Sequence, residues 1–244
     1  MQEINIWGIK VNPLTKAEIV KRIDDHVAVG NSTFHLTGVN PETIAQAQSD
    51  PRLKDSINSS NLVNIDNTLV MLTLRLLGYH IPERAACPDI FEQLLMLSNQ
   101  KGYSVYFLGA QQEVLQDMQS KIIVKYPSLK IAGARNGYFR PEQEEDVIKE
   151  IRAISPDMLF IAFPTPRKEL FINKYKHLLG VRFAFGVGGA FDVQAGKVVR
   201  APLWMRKIGL EGTHRALQNP LNYGARYLKY YFPFVKLFLR AKFQ

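Results

Sequence analysis

Polar side chains follow two β-rich segments near the start of the sequence, at the points where those segments end. Thr37 and Asn40 come after the β-rich segment 32–36. Their hydroxyl and amide groups are suited to orienting the hydroxyl groups of a sugar by hydrogen bonding. Asp66 comes directly after a second segment, 61–65. A carboxylate at a strand end that faces a cleft can act as a general base, which makes Asp66 a candidate for proton transfer.

Both sets of residues also have a structural interpretation. Asn40 precedes Pro41, a pattern typical of a helix start, so the Thr37/Asn40 segment can be a helix cap. Asp66 can likewise cap a helix that begins near Thr68. These residues alone leave the catalytic and the capping interpretation open.

Later loops add candidates for binding a nucleotide or a phosphate group. Arg84 and Asp89 flank the segment 85–88, and the pair is either a surface ion pair or a phosphate clamp with its orienting acid. Tyr138 offers an aromatic face for a base, and Asp192 can accept a hydrogen bond from a uracil imide. Core packing and loop anchoring are the alternative interpretations of these last two residues.

Several kinds of chemistry are disfavoured because their motifs do not occur in the sequence. It has no Gly-x-x-x-x-Gly-Lys-Ser/Thr phosphate loop, no Gly-x-Ser-x-Gly motif, no His-Glu-x-x-His motif and no Asp-x-Asp pair. Five histidines without ligand spacing and one cysteine, Cys87, do not make a zinc site. The glycine-rich turn 186–189 resembles a dinucleotide fingerprint only loosely. The sequence therefore predicts neither a metal ion nor a nicotinamide cofactor.

The elements that must position these residues alternate between β-rich and helical segments. Strands are predicted over 3–11, as one strand or a pair, and over 32–36, 61–65, 104–108, 157–162 and 182–185. Helices are predicted over 16–29, 68–77, 88–100, 112–125 and 169–178, with one more that begins at Pro41. This alternation is typical of an α/β fold, in which a parallel sheet is wrapped by helices. Ligands of such sheets bind at the carboxyl ends of the strands, where the candidate residues lie.

The net charge of +9 is concentrated in one part of the chain. Residues 197–244 carry ten basic side chains and one acidic side chain, whereas the charges of residues 1–196 cancel. The sequence therefore predicts an α/β core over 1–196 and a basic, aromatic C-terminal appendage over 197–244. A localised excess of positive charge indicates an anionic partner, which is a nucleic acid, an anionic membrane or a phosphorylated substrate.

Aromatic and apolar residues recur at helical spacing within the C-terminal appendage. The members of this aromatic stripe are Tyr227, Tyr230, Tyr231, Phe234, Leu237, Phe238 and Ala241. Lys229, Lys236 and Arg240 fall on another face of the same helix, which Pro233 would kink. The pattern is typical of a helix that docks on an anionic membrane, and packing on the core or on a second subunit is the alternative. The appendage has no known nucleic-acid-binding motif.

The sequence also bears on the cellular location. No basic and apolar leader is visible at the N-terminus, and the longest apolar runs are well short of the roughly 20 residues that a membrane-spanning helix needs. A single cysteine allows no intramolecular disulfide, which fits a reducing compartment. We therefore expect a cytoplasmic protein that binds a membrane peripherally.

A dense series of motifs occupies the last third of the chain. It begins with Gly-Val-Gly-Gly-Ala-Phe-Asp-Val-Gln-Ala-Gly at 186–196. It continues with Arg200-Ala-Pro, Trp204-Met-Arg, Gly209-Leu-Glu, Arg215, Pro220 and Arg226-Tyr. This series resembles the signature of the bacterial WecG/TagA/CpsF glycosyltransferase family, and the similarity extends over nearly the whole chain.

The resemblance implies a Rossmann-like α/β fold and a reaction that needs no metal ion. The family transfers a sugar from a UDP-sugar to an undecaprenyl-diphosphate-linked sugar, with inversion, in the synthesis of teichoic acid, capsule or exopolysaccharide. The implied partners are a UDP-sugar, a polyprenyl-diphosphate-linked sugar and the anionic inner face of the plasma membrane, with a homo-oligomer as a further option. The alternatives are a membrane-associated nucleotide-binding protein without transferase activity and a nucleic-acid-binding protein.

The resemblance also implies roles for the candidate residues. Asp66 is implied as the catalytic base, and Thr37 and Asn40 as groups that position the sugars. Arg84 is implied as the cation that neutralises the charge on the departing UDP.

Two further groups of residues are implied as binding residues. The nucleotide-sugar would be bound by Gly109, Tyr138, Lys168, Gly188 and Asp192. The lipid diphosphate would be bound by Arg200, Arg206, Arg215 and Arg226. Lys168 stands where the family pattern has a glutamine that faces the reaction centre, which leaves glucose, glucuronate and N-acetylhexosamine as candidate donor sugars.

Overall fold

Six parallel strands form the central sheet, and a short antiparallel pair precedes it. The computed structural model describes residues 3–218 and 220–243, and the side chains at 207, 215, 221–223 and 225–227 lie outside this description. The short pair is β1 (Ile4–Ile6) and β2 (Ile9–Val11). The sheet contains β3 (Phe34–Val39), β4 (Leu62–Ile65), β5 (Ser104–Gly109), β6 (Lys130–Arg135), β7 (Met158–Ala162) and β8 (Phe183–Gly186). Their order in the sheet is β4-β3-β8-β7-β5-β6.

Helices connect the strands and continue beyond the last of them. Those of the core are α1 (Lys16–Val29), α2 (Pro41–Ala47), α3 (Pro51–Asn58), α4 (Thr68–Leu76), α5 (Cys87–Lys101), α6 (Gln112–Lys125), α7 (Glu144–Ile154), α8 (Arg167–Tyr175) and α9 (Ala190–Gln194). A short 3-10 turn, Pro141–Gln143, precedes α7. Those of the C-terminal appendage are α10 (Leu203–Lys207), α11 (Glu211–Gln218) and α12 (Pro220–Lys242).

Both faces of the sheet are covered by helices, so the strands between them are buried. Successive strand residues point to opposite faces, and in β5 Phe107 and Tyr106 accordingly belong to different apolar clusters. On one face α1, α5, α6 and α9 pack on the sheet, with the rings of Phe91 and Phe160 4.8 Å apart. On the other face α7 and α8 pack. Near β4, a third cluster joins α2, α3 and α4 to the β1–β2 pair.

The predicted α/β fold with a parallel sheet is confirmed. Each predicted strand and helix of the core corresponds to an observed one, with ends shifted by up to three residues. The largest shift at a strand end is that of β3, which continues to Val39 instead of ending at residue 36. The sequence did not predict β6, α3, α7 or α9. The boundary between core and appendage near Lys197 stays a prediction.

Three described members of the aromatic stripe of α12 pack on the core. Phe234 is fully buried, and its ring lies edge-on to the ring of Trp7 with the centroids 5.5 Å apart. The Tyr231 hydroxyl accepts a hydrogen bond from Asn67 Nδ2 at 3.4 Å, and Leu237 packs against the cluster near β4. The expectation that this stripe faces a membrane is therefore wrong for these residues, and the alternative of packing on the core is correct. Tyr227 lies outside the described side chains.

Other apolar side chains of the appendage point outward. The exposed ones on α12 are Leu228, Phe232, Val235 and Leu239, and Phe243 follows the helix. They recur every three or four residues, so they share one face of the helix, opposed to the buried face. Of the helices that the structure describes, none is long and apolar enough to cross a membrane.

Candidate active site

A polar cleft of about 330 Å³ opens at the carboxyl ends of the central strands. Four strands that are neighbours in the sheet, β4, β3, β8 and β7, end there. The cleft is lined by Gly38, Asn40, Asp66, Cys87, Pro88, residues 162–165, Lys168, residues 186–190 and Asp192. Parallel α/β sheets bind their ligands in this position, because the loops that follow the strands meet there.

Asp66 follows β4 and is held in the cleft by the start of α5. Its Oδ1 accepts a hydrogen bond from the backbone N–H of Cys87 at 2.6 Å. The N-terminus of a helix favours a negative charge, so the first turn of α5 stabilises the carboxylate. Asp66 does not cap α4, because that cap is Asn67, whose side chain accepts from Leu69 N at 2.8 Å.

Asn40 both caps a helix and lines the cleft. Its side-chain oxygen accepts from the backbone N–H of Thr43 at 3.0 Å, so the capping interpretation is confirmed for this residue. The cap uses only the oxygen. Among the described residues nothing accepts from the amide nitrogen, which is a donor that a ligand in the cleft can use.

Thr37 is buried in the sheet and does not line the cleft. Because β3 continues to Val39, Thr37 is a strand residue. The next residue, Gly38, lines the cleft, so the Thr37 side chain points to the opposite face of the sheet. The Thr37 hydroxyl lies 2.9 Å from His35 Nε2 and 2.8 Å from Ser60 Oγ. Burial, together with nearby lysines, lowers the pKa of His35 to about 3, so this ring is neutral. The placement of Thr37 beside the sugars is thus corrected to a buried polar contact.

Lys168 lies buried at the floor of the cleft. Its Nζ donates to Thr165 Oγ1 and to Glu169 Oε1, and Glu169 is itself almost fully buried. The stem of Lys168 crosses the end of β8 at Gly186, where a Cβ would come within 2.9 Å of Lys168 Cδ. Lys168 is therefore an ion-paired cation, and glycine at 186 leaves the space for its stem.

The other residues implied for the nucleotide-sugar lie in different surroundings. Gly188 and Asp192 line the cleft, and a Cβ at Gly188 would meet no atom of the residues that the structure describes within 4 Å. Gly109 does not line it: its Cβ would lie 2.6 Å from the carbonyl oxygen of Ala162, so glycine permits close packing of β5 against β7. Tyr138 is exposed beside a separate open pocket of about 410 Å³.

The predicted pairing of Arg84 with Asp89 is wrong. Arg84 Nη2 instead pairs with Glu211 Oε2 of α11 at 2.7 Å, and Arg84 Nη1 donates to Thr68 Oγ1 at 3.3 Å. Asp89 pairs with two arginines of the appendage, Arg200 and Arg206. None of these three arginines is among the residues that line the cleft, although Asp89 directly follows Pro88, which does. The side chains of Arg215 and Arg226 lie outside the described residues.

In and beneath the cleft lie groups that the sequence did not single out. The backbone N–H of Cys87, the hydroxyl of Thr165 and the carboxylate of Glu169 all contact a predicted residue. The signal for the first was present, because a proline at the second position of α5 marks a helix start near Cys87. Across residues 3–218 and 220–243, no three His, Cys, Asp or Glu side chains lie close enough together to hold a metal ion.

The fold and the cleft define an α/β protein with a polar cleft at the carboxyl ends of parallel strands. A sequence model of the glycosyl transferase WecG/TagA/CpsF family matches residues 4–244. The chain belongs to this glycosyltransferase family, as its C-terminal motifs indicated.

Two curated relatives carry the same name, N-acetylglucosaminyldiphosphoundecaprenol N-acetyl-beta-D-mannosaminyltransferase. The protein from Bacillus subtilis (strain 168) is 37% identical over 185 residues, which cover 76% of this chain and 72% of the relative. The protein from Bacillus spizizenii is 35% identical over 190 residues, which cover 78% of this chain and 73% of the relative.

Proposed function

We propose that this protein is an inverting glycosyltransferase that moves a sugar from a UDP-sugar to an undecaprenyl-diphosphate-linked sugar in the synthesis of a bacterial cell-surface polysaccharide. The names of the two relatives support a lipid-linked acceptor. The observation that carries the proposal is the position of Asp66. One of its oxygens is fixed by a backbone N–H, and the residue lines a cleft at the carboxyl ends of the strands.

The chemistry assigned to Asp66 is proton transfer in a single displacement. Its carboxylate takes the proton of the acceptor hydroxyl while the oxygen of that hydroxyl attacks the anomeric carbon of the donor. The bond from this carbon to the β-phosphate oxygen breaks, and UDP leaves with the bonding electrons. Attack from the face opposite the leaving group inverts the configuration. Asp66 ends the step protonated.

Other residues in and beside the cleft are assigned to binding. The Asn40 amide nitrogen donates to a sugar hydroxyl, and Asp192 accepts from the uracil imide. Arg84 neutralises charge on the departing UDP, so that no metal ion is needed. Lys168 has a buried counter-ion in Glu169, so it acts as a hydrogen-bond donor within a neutral pair. Glucose, glucuronate and N-acetylhexosamine all present hydroxyl or anionic oxygens to such a donor.

The appendage is assigned to the inner face of the plasma membrane. Its outward apolar side chains include those of α12. They also include Leu203, Trp204 and Ile208, which lie on and just after α10. Lys229 and Lys236 flank this face on α12. Apolar residues beside lysines suit the boundary of an anionic bilayer, where each basic residue contributes roughly 1 kcal/mol of attraction.

The reaction is tested by a screen of UDP-glucose, UDP-glucuronate and UDP-N-acetylhexosamines against a short-chain polyprenyl-diphosphate-linked sugar. We expect one donor to release UDP, and only when the acceptor is present. A lipid-linked disaccharide should appear in equal amount, and its new linkage should have the inverted configuration by NMR. Release of UDP without acceptor, or no release with any donor, contradicts the proposal.

The membrane assignment is tested by sedimentation with vesicles that contain an anionic lipid. The double variant Phe232→Ser/Leu239→Ser should sediment at least about fivefold less than the parent protein, because it removes outward apolar area from α12. The matched control is Ile123→Ser/Val124→Ser, which makes the same change at exposed residues of α6. Equal sedimentation of both variants contradicts membrane docking by α12. If Phe232→Ser/Leu239→Ser still binds vesicles but no longer forms a dimer that the parent protein forms, the outward face of α12 contacts a second copy of the chain.

A further inference from the structure

Five charged side chains form one continuous series of ion pairs beside the cleft, here called the arginine–acid chain. Its members are, in order, Arg84, Glu211, Arg200, Asp89 and Arg206. The separations are 2.7 Å from Arg84 Nη2 to Glu211 Oε2, and 3.2 Å from Arg200 Nε to Glu211 Oε1. Asp89 Oδ1 pairs closely with Arg200 Nη1 and lies 3.6 Å from Arg206 Nη1.

The arginine–acid chain joins two parts of the protein that are far apart in sequence. Arg84 lies between α4 and α5, in the core, whereas Glu211 is the first residue of α11 in the appendage. Glu211 uses a different oxygen for each arginine, so it holds Arg84 and Arg200 on its two sides. A carboxylate with one guanidinium on each oxygen fixes the direction of both.

Burial makes these contacts strong enough to position a side chain. The side chains of Arg84 and Glu211 are only 15% and 14% exposed. Burial by itself would raise the pKa of Glu211, yet the charges of Arg200 and Arg84 hold its pKa below the usual value. The carboxylate is therefore ionised at neutral pH. Removing one partner of a buried ion pair is far more costly than breaking an exposed pair, since it leaves a buried charge unpaired.

The acids leave some donors of the arginine–acid chain without an acceptor. In the described part of the chain, Arg200 Nη2 and Arg206 Nε are buried and have no hydrogen-bond partner. Buried donors normally have an acceptor, and three arginines against two acids leave one positive charge. A diphosphate supplies both the missing oxygens and the missing charge. Asp89 follows Pro88 of the cleft, so such a group would lie at the mouth of the cleft.

We propose that Glu211 is a positioning residue, which places Arg84 of the core and Arg200 of the appendage side by side to bind one diphosphate. This inference rests on the proposed function for the role of Arg84 in turnover. It adds that Arg84 is correctly placed only while α11 is docked on the core. The diphosphate belongs either to UDP or to the lipid acceptor.

The test is a double-mutant cycle with Glu211→Gln and Arg84→Ala in the full chain. Glutamine keeps the size of the side chain and removes its charge. We expect Glu211→Gln to lower kcat/KM by about tenfold in the parent protein and by only about threefold in the Arg84→Ala background, because the part of its effect that passes through Arg84 is lost and the part that passes through Arg200 remains. Glu92→Gln, which removes an exposed ion pair with Lys125 on the surface, should change kcat/KM by less than about twofold in both.

Binding measurements separate this inference from the proposed reaction, because they need no turnover. Calorimetry with UDP and with farnesyl diphosphate should show about tenfold weaker binding to Glu211→Gln for whichever of the two uses the arginine–acid chain. Glu211→Asp should recover part of the loss. If Glu211→Gln weakens diphosphate binding as expected but the parent protein shows no turnover, the proposed function is contradicted and the positioning role of Glu211 is not.

Three results overturn the positioning role of Glu211. One is an equal loss from Glu211→Gln in both backgrounds, which means that it acts independently of Arg84. Another is tighter binding of a diphosphate by Glu211→Gln, which means that Glu211 competes for the site. The third is that the parent protein binds neither UDP nor farnesyl diphosphate.

Discussion

The cleft and the arginine–acid chain lie next to each other but are held in place by different means. In the cleft, the backbone fixes the polar side chains: Asp66 accepts from the first turn of α5, and Asn40 accepts from the first turn of α2. In the arginine–acid chain, side chains fix one another across the contact between core and appendage. The cleft is therefore preformed by the sheet, whereas the arginines are in place only when the appendage is docked.

The largest effect is expected from Asp66→Asn. Asparagine can still accept from the Cys87 N–H, so the start of α5 should be intact, but an amide cannot take a proton. We expect kcat to fall by about a thousandfold while the unfolding midpoint changes little. The measurement is acceptor-dependent UDP release beside urea unfolding, with Asp25→Asn on the exposed face of α1 as the control. Turnover that survives in Asp66→Asn removes Asp66 as the base.

The next effect tests how the appendage is attached to the core. Phe234 is fully buried against Trp7, so Phe234→Ala leaves a cavity and should lower the free energy of unfolding by about 3 kcal/mol or more. Phe232→Ala, two residues earlier on the outward face, should lower it by less than about 0.5 kcal/mol. Urea unfolding of both variants gives the comparison. Equal losses would mean that α12 does not have one buried and one outward face.

The cleft could be predicted from the sequence because its signals are local. A polar residue at the end of a β-rich segment identifies a strand end, and the topology of a parallel sheet brings such ends together. This reasoning located Asp66 and Asn40 in the cleft. It failed for Thr37, because Phe34–Val39 is three residues longer at its end than the pattern indicated. A residue inside a strand faces one side only, so a small error in the strand end moved Thr37 to the wrong face.

The arginine–acid chain could not be predicted, because nothing local links its members. Arg84 and Glu211 are 127 residues apart, and Asp89 is much closer to Arg84 in sequence, which favoured the wrong pair. The sequence also left open which face of α12 is buried, for a related reason. Apolar residues occupy two of its faces, and contacts that are distant in sequence, with Trp7, Asn67 and the cluster near β4, decide which face is buried. Edge strand β6 was missed because its residues are mostly half-exposed and small.

A third variant tests whether the cleft is as rigid as its backbone contacts indicate. A Cβ at Gly38 would lie 2.3 Å from Cys87 Sγ, at the start of the helix that holds Asp66. Gly38→Ala should therefore destabilise the protein by about 1–3 kcal/mol and lower kcat. Adding Cys87→Ala to the Gly38→Ala variant should restore much of the lost stability and of the lost kcat, because it removes the sulfur that the new Cβ would meet. Gly224→Ala, where a Cβ meets no atom of the described residues within 4 Å, is the control.

The smallest effects are expected from variants of Thr37 and Asn40, two residues that the sequence placed in one loop and that the structure places in different surroundings. Thr37→Val removes a hydroxyl that lies within hydrogen-bond distance of His35 and Ser60, so it should cost about 1–2 kcal/mol of stability and leave kcat within about twofold. Asn40→Asp keeps the oxygen that caps α2 and removes the amide donor, so it should keep the stability and lower kcat/KM by about tenfold. Steady-state kinetics and urea unfolding of both variants are required. If Thr37→Val loses turnover without losing stability, the threonine hydroxyl reaches the sugars after all, and the sheet end must open during the reaction.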